Sequence, residues 1–405
     1  MSSSVSPTAP PLADSVPVAL DARRPRWASL GLGLAVSGAL LAALLGRDST
    51  HAMLFGIALL LGVTLYHAAF GFTSAYRKLI TARDPRGVQA QLLMLAIASI
   101  LFAPILASGQ ALGHGVVGAI APLSVQVAAG AFLFGIGMQL GGGCGSGTLY
   151  ALGGGSARLL LTLAAFVAGS FWASLDMAWW WKLPSAGSLA LGRSFGWPLG
   201  VAMQLLFLGF LAWLLNRIGR RRDPAPTGDA PMTLAGRILQ GPWPLYAGAV
   251  ALALLNWVTL LVAGHPWTIT WAFTLWGAKA ALLFGWNPAG DPFWTGGFPQ
   301  AALQGGVLDD VTSIMDIGIV LGALCAAGVA GRFSVSMPRS ARPLVAALLG
   351  GLAMGYGARI AFGCNIGAFF SGVASTSLHG WLWIAMAFPG TWLGVKLRPL
   401  FGMQS

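Results

Sequence analysis

The 405-residue chain contains no glutamate. All 11 acidic residues are aspartate, and charged residues of either sign make up 8% of the sequence, against roughly 25% in a soluble domain. That scarcity excludes an ordinary solvated globular surface and leaves few carriers for a proton-coupled pump. Cysteine is scarce as well: the 3 cysteines make no disulfide framework and form no Cys-x-x-Cys pair. His51, His67, His114, His265 and His379 follow no metal-ligand spacing, so neither a metal nor a cofactor is expected. A Walker-type phosphate loop is also missing, which removes the sequence basis for ATP-driven transport.

What abounds is apolar. Hydrophobic residues make up 56% of the chain, and ten runs approach the ~20 residues that a spanning helix needs. They lie at 28–46, 52–72, 89–109, 115–138, 157–175, 195–216, 243–264, 313–330, 343–362 and 378–396. The expectation is an all-α membrane protein of about ten transmembrane helices in a lipid bilayer. The net charge of +12 does not mark a nucleic-acid binder. Most arginines sit in short loops beside apolar runs, the pattern that orients a polytopic protein. The basic segments are the N-terminal arm with Arg23, Arg24 and Arg26, residues 77–86, 217–237 and 332–342, and Lys396 with Arg398. Intervening loops are poor in charge or acidic, as at Asp291 and Asp309-Asp310. Ten spans then place both termini in the cytoplasm.

The divisions expected are a disordered cytoplasmic tail over 1–27, an extra N-terminal helix over 28–48, a first half over 49–215, a cytoplasmic linker over 216–240, a second half over 241–398 and a C-terminal tail over 399–405. The linker is marked by Arg217, Arg220, Arg221 and Arg222 followed by Pro224, Pro226 and Pro231.

A duplicated motif carries the functional signal. Gly143-Cys144-Gly145-Ser146-Gly147 closes one apolar run, and Gly363-Cys364-Asn365-Ile366-Gly367 closes another. Gly135-Ile136-Gly137 lies nine and seven residues before Cys144, and Gly355-Tyr356-Gly357 lies nine and seven before Cys364. A polar residue sits five positions before each cysteine, Gln139 in one copy and Arg359 in the other. With the loop charges above, the two motifs enter the membrane in opposite directions, an inverted repeat of the kind that places a path at the interface of two halves. Residues 145–153 and 365–375 are too short and too rich in Gly and Ser to cross, and read as re-entrant half-helices around a central constriction. Phe72 to Tyr76 and Ile269 to Phe273 form a weaker similar pair.

Such a break at membrane depth is tolerated only where it is buried in protein or lines a wet cavity. The start of a half-helix offers an anion free N–H groups and the positive end of a dipole. Cysteine adds a soft atom and a weak S–H donor, and weak contacts suit a conduction path because the ion must also leave. One Gly-Cys-x-x-Gly is ordinary helix packing; two copies with matched upstream glycines point to a site. Its candidate residues are Cys144, Cys364, Gly143, Gly147, Gly363, Gly367, Gln139, Arg359, Asn365 and Ser146.

These motifs, together with Tyr76-Arg77, Arg83-Asp84 and Trp276-Gly277-Ala278-Lys279, resemble the YeeE/YedE family of bacterial sulfur-compound permeases over about residues 52–398. The resemblance implies an hourglass of two pseudo-symmetric halves in the inner membrane, with thiosulfate or a related small sulfur-containing anion passed along the Cys144 and Cys364 thiols. It also implies, for some members, a small cytosolic sulfur-carrier protein as partner. Thiosulfate-transporting members carry a third cysteine whose equivalent here falls near Gly71. Its absence leaves other sulfur or selenium anions open. Two further readings stand beside the permease: a membrane thiol-redox protein or sulfurtransferase, and a passive anion channel.

Among the remaining residues, Cys325 reads as packing, and Arg359 either attracts an anion or ties a re-entrant segment to backbone carbonyls. Lys279 is expected to snorkel to an interface, and Arg158 to mark a cytoplasmic helix end. Asp176 and Asp316, at predicted helix ends, read as solvated or capping groups before proton carriers. The tryptophans at 179–181, Trp294 and those from Trp381 to Trp392 read as interface belts.

Overall fold

The computed structural model describes residues 25–219, 234–336 and 340–404. Most of the expected N-terminal tail and the arginine- and proline-rich centre of the expected linker lie outside the described residues.

The architecture is all-α. In chain order the helices are α1 (Trp27–Leu45), α2 (Ser49–His67), α3 (Phe72–Ala82), α4 (Arg86–Ser108), α5 (Val125–Gly141), α6 (Gly145–Gly153), α7 (Ala157–Leu175), α8 (Met177–Trp180) and α9 (Leu191–Phe195). They continue as α10 (Trp197–Ile218), α11 (Leu234–Gln240), α12 (Leu245–Ala263), α13 (Thr270–Leu283), α14 (Gly297–Gln304), α15 (Val311–Val329), α16 (Ala341–Ile360), α17 (Ser371–Ala374) and α18 (Leu378–Leu397). A π-helical segment, Asn365–Phe370, leads into α17. Among the described residues, nine helical stretches are long and apolar enough to cross a membrane, so the protein is a multi-pass membrane protein. The tenth expected span is present as the 20-residue α18, whose Trp, Gly and Lys residues make it less apolar. The span expected at 115–138 begins late: Gln110–Ala111 (β1) pairs with His114–Gly115 (β2), and the helix starts only after Ser124, whose hydroxyl accepts the Val127 N–H at 3.4 Å.

Local chemistry sets the helix ends. The Asp48 carboxylate accepts the Thr50 N–H at the start of α2 (2.7 Å), and Asp310 caps α15 by accepting the Ser313 N–H (2.8 Å). Left-handed glycines stop α5 at Gly142 (φ +89°) and α12 at Gly264 (φ +73°), where a side chain would be strained. Between α3 and α4, Arg86 Nη2 reaches Asp84 Oδ2 at 2.6 Å. That hydrogen bond holds the Asp84 carboxyl below the usual carboxylate range. A lowered carboxyl stabilises the fold above its unfolded value and loses that contribution as pH falls through the folded one. Arg86→Gln is therefore expected to flatten the acid limb of the thermal-stability profile, and an unchanged limb would show that the pair contributes nothing.

Lipid supplies no hydrophobic force between helices, so packing rests on close backbone approach at small residues. α5 crosses α16 where Gly130 meets Gly357 and Gly137 meets Gly350. α7 lies on the other side of α16, α18 on the other side of α5, α2 on α15 and α4 on α12. Three tryptophans depart from the belt expectation or from notice altogether. Trp267, Trp294 and Trp383 are fully buried, because each indole fills space between helices, and two of them donate N–H inside the protein: Trp294 to Ser174 Oγ and Trp383 to the Gly363 carbonyl. Exposed tryptophans such as Trp172, Trp179 and Trp181 fit the belt.

A candidate thiol site at two helix breaks

Both Gly-Cys-x-x-Gly motifs are helix breaks. α5 stops at Gly141, and α6 begins one residue after Cys144. α16 stops at Ile360, and the π-helical segment begins one residue after Cys364. Each cysteine has extended backbone and occupies the N-cap position. Its carbonyl starts the following helix: Thr148 N–H bonds the Cys144 carbonyl at 2.8 Å, and Ala368 N–H bonds the Cys364 carbonyl at 2.9 Å. The flanking glycines make the turn possible. A Cβ on Gly143 would stand 3.1 Å from Gly147 C and Thr148 N; one on Gly363 would stand 2.7 Å from Ala368 N and 3.1 Å from Gly367 C. Gly363 also has φ +143°.

The structure brings the two motifs together. A Cβ on Gly145 would lie 3.1 Å from Cys364 Sγ, so the second thiol rests against the residue that follows the first. Gly147 lies over its own motif's sulfur, its Cβ position 3.4 Å from Cys144 Sγ. Both thiols are free and buried. Around Cys144, Ser146 Oγ stands 3.5 Å from the sulfur. Around Cys364, Ile366 N–H points at the sulfur at 3.5 Å. Gly367 packs on Thr268, with Oγ1 3.2 Å from its Cβ position.

The two residues five before the cysteines part company. Gln139, fully buried, donates Nε2–H to the Thr73 carbonyl at 3.0 Å and ties α5 to α3. Arg359, half-buried, lies 5.0 Å from the Phe293 ring centre and 6.0 Å from that of Trp271. Trp271 in turn donates to Asp310 Oδ1 at 2.9 Å. Arg359 is therefore held by aromatic faces, with no hydrogen bond from Nε to the protein, rather than by carbonyls of the segment after Cys364.

Other charged residues have structural roles. Arg158 Nη2 donates to the Leu140 carbonyl at 2.8 Å, clamping the end of α5. Lys279 does not snorkel freely: Nζ donates to the Leu303 and Gly305 carbonyls at 3.0 and 2.5 Å. Arg398, beyond α18, donates Nη1–H to the Gln139 carbonyl at 2.7 Å and is fully buried. Cys325 packs against α1, its sulfur 2.7 Å from the Gly33 Cβ position.

Asp176 caps the end of α7 and accepts the Tyr356 O–H at 2.8 Å. Asp316 is different from the capping group expected. It lies a turn inside α15, fully buried, and neither carboxylate oxygen has a hydrogen-bond partner; Asp310 does the capping. A buried polar group left without a partner costs about 1–3 kcal/mol. Asp316→Asn, isosteric and neutral, is accordingly expected to give membrane yields and a thermal midpoint at or above those of the unsubstituted protein. A clear drop would show that the carboxylate is bonded in the membrane.

Sequence reasoning passed over several residues at the thiols. Tyr76 on α3 is fully buried, and Tyr150 lies on α6, the helix that Cys144 begins. Ile269, before α13, touches the Gly145 position through Cγ2 at 3.5 Å. Trp383 supports the second turn from α18 by its bond to the Gly363 carbonyl at 3.2 Å and by stacking on Phe369. The signal for Tyr76 and Ile269 lay in the similarity of the 72–76 and 269–273 segments; Trp383 had none in sequence. At Gly71, where a third thiol was expected in thiosulfate-transporting relatives, a Cβ would stand 3.0 Å from Ser74 Oγ and 3.4 Å from Tyr150 Oη.

A multi-pass helical membrane protein with two buried thiols at matched, touching helix breaks is the class that fold and site define. The match to known proteins agrees: the family described as sulphur transport covers residues 67–393, and the chain belongs to it. This is the family that the paired cysteine motifs resembled. The chain is 34% identical to "Probable transporter YedE" of Escherichia coli (strain K12) over 161 residues, 39% of either protein. It is 27% identical to "Thiosulfate transporter TsuA" of Spirochaeta thermophila over 362 residues, 83% of this chain and 95% of that one. With the E. coli TsuA it shares 24% identity over 364 residues, 84% of this chain and 93% of the relative. The YedE match thus spans about two fifths of that relative's length.

Proposed function

We propose that the protein is an inner-membrane permease for a small sulfur-containing anion, thiosulfate before other candidates, and that the anion crosses the narrowest point on the thiols of Cys144 and Cys364. The observation that carries this is the packing of the second thiol onto the residue after the first, 3.1 Å from the Gly145 Cβ position. Two soft groups on adjoining turns let an anion be handed over without a tight intermediate stop. The printed names of the TsuA relatives support the substrate class.

In this reading the two halves are inverted copies and the segments after the cysteines are re-entrant. Several pairs of contacts support it. Gly135 packs on α18 beside Thr391 N, while its counterpart Gly355 packs on α7 beside Ser170 N. α2 lies on α15 while α4 lies on α12, so the first half's elements recur as partners of the second's. Both termini then face the cytoplasm. The family and the printed names of the relatives favour a transporter over an enzyme. The test is reconstitution in proteoliposomes with radiolabelled thiosulfate, competed by sulfite, sulfate and selenium analogues. Saturable uptake that thiosulfate competes best supports the assignment; uptake indifferent to every sulfur anion overturns it.

A further inference from the structure

The thiols account for the soft end of such an anion and leave its oxygens without partners. Beside Cys144 lies a second set of buried groups that the protein itself does not use. Thr73 Oγ1 and Gln139 Oε1 make no hydrogen bond to the protein, and Tyr76 Oη and the Asn365 amide approach each other without forming a well-shaped one. The four residues are 5%, 2%, 0% and 0% exposed. They form one group. Thr73 and Tyr76 are three apart on α3 and share a face. Gln139 is bound to the Thr73 carbonyl. Asn365 directly follows Cys364, and its side chain approaches that of Tyr76 on α3. Phe72 closes the side, edge-on to Phe369 at 6.5 Å.

Buried polar side chains nearly always find partners. A hydroxyl, a phenol and a carboxamide left together beside a thiol are an incomplete binding site. All three offer N–H or O–H donors. Buried cations are held by other groups: Arg398 by the Gln139 and Gln404 carbonyls, Arg359 by Phe293 and Trp271, Lys279 by two carbonyls. Neutral donors suit an anion that must bind and leave.

We propose that Thr73, Tyr76 and Asn365 cradle the oxygens of a sulfur oxyanion whose terminal sulfur rests on the Cys144 and Cys364 thiols. The inference deepens the permease reading and rests on it for the direction of transport, though not for binding. The cradle favours anions that carry soft sulfur at one end and oxygen at the other; hydrosulfide, with no oxygen to place, meets the thiols alone.

Two near-isosteric substitutions test it, Tyr76→Phe and Thr73→Val. Each removes a hydroxyl that makes no well-shaped hydrogen bond in the protein, so the thermal midpoint without anion is expected to stay nearly unchanged. The thiosulfate half-saturation, in uptake and in thiosulfate-induced thermal stabilisation of the detergent-solubilised protein, is expected to rise about tenfold or more, the usual loss for a hydrogen bond to a charged group. Inhibition by hydrosulfide is expected not to move. An unchanged thiosulfate half-saturation, or an equal loss for hydrosulfide, overturns the cradle even if the cysteine variants behave as the permease reading requires. Thiosulfate stabilisation that is weakened in Tyr76→Phe, in a protein that takes up no thiosulfate, keeps the cradle and removes the permease. No stabilisation of the unsubstituted protein by any sulfur oxyanion removes the cradle.

Discussion

Cys364→Ala is expected to abolish thiosulfate uptake while leaving the protein folded in the membrane, and Cys144→Ala to do the same. The substitution removes one buried sulfur. The backbone bonds that build the turn, from Thr148 and Ala368 to the cysteine carbonyls, do not involve it, and the Cys364 sulfur meets only the N–H groups of Ile366, at 3.5 Å, and Gly367. The stability cost is that of a small cavity, on the order of 1 kcal/mol. Transport, by contrast, loses half of the proposed two-thiol relay, and Ser146 Oγ, which stands beside Cys144, is no soft atom to replace it. Uptake of radiolabelled thiosulfate into proteoliposomes, normalised to reconstituted protein, makes the comparison. Normal uptake by both alanine variants would falsify the relay. Cys325→Ala, on the face that packs against α1, is the matched control and is expected to transport normally.

The second large effect falls on folding. Gly135→Ala and Gly355→Ala each place a methyl against the backbone of a neighbouring helix. On Gly355 the new Cβ would stand 2.6 Å from Ser170 N, and on Gly135 2.8 Å from Thr391 N. Backbone cannot rotate away, so the helices must separate and give up the close approach on which packing in lipid depends. A cost of about 1–3 kcal/mol or more is expected, seen as a lowered thermal midpoint and reduced recovery of monodisperse protein, with uptake falling in proportion to the folded fraction. Gly38→Ala, where nothing lies within 4 Å of the Cβ position, is expected to be harmless or to stabilise α1 by about 0.5–1 kcal/mol. Equal behaviour of Gly38→Ala and Gly355→Ala would sink this account of the glycine crossings.

Much of this protein was legible before its structure. The bilayer demands long apolar helices and nothing else, so composition alone led to the class and to helices at all ten expected positions. The paired cysteine motifs were legible because each break needs glycines at fixed offsets from the cysteine, and the offsets survive in both copies. Less was legible where one residue type has several outcomes. Tryptophan looks alike at an interface and in a core, and Trp294 and Trp383 turned out to be buried. Asp316 looked like a helix-end group because span boundaries blur by a turn, yet it is buried without a partner.

The sequence by itself determined that the chain lives in a membrane, that it carries a duplicated thiol turn, and which family it belongs to. These properties depend on local composition and on short-range spacing. Tertiary structure alone decided that the two turns meet, with Cys364 against Gly145, and that Gln139 and Arg359 serve different neighbours. It also decided that Thr73 and Tyr76 from α3 come to lie beside Asn365. Those residues are hundreds of positions apart, and only the crossing of α5 on α16 at glycines small enough for backbone contact brings them to one place.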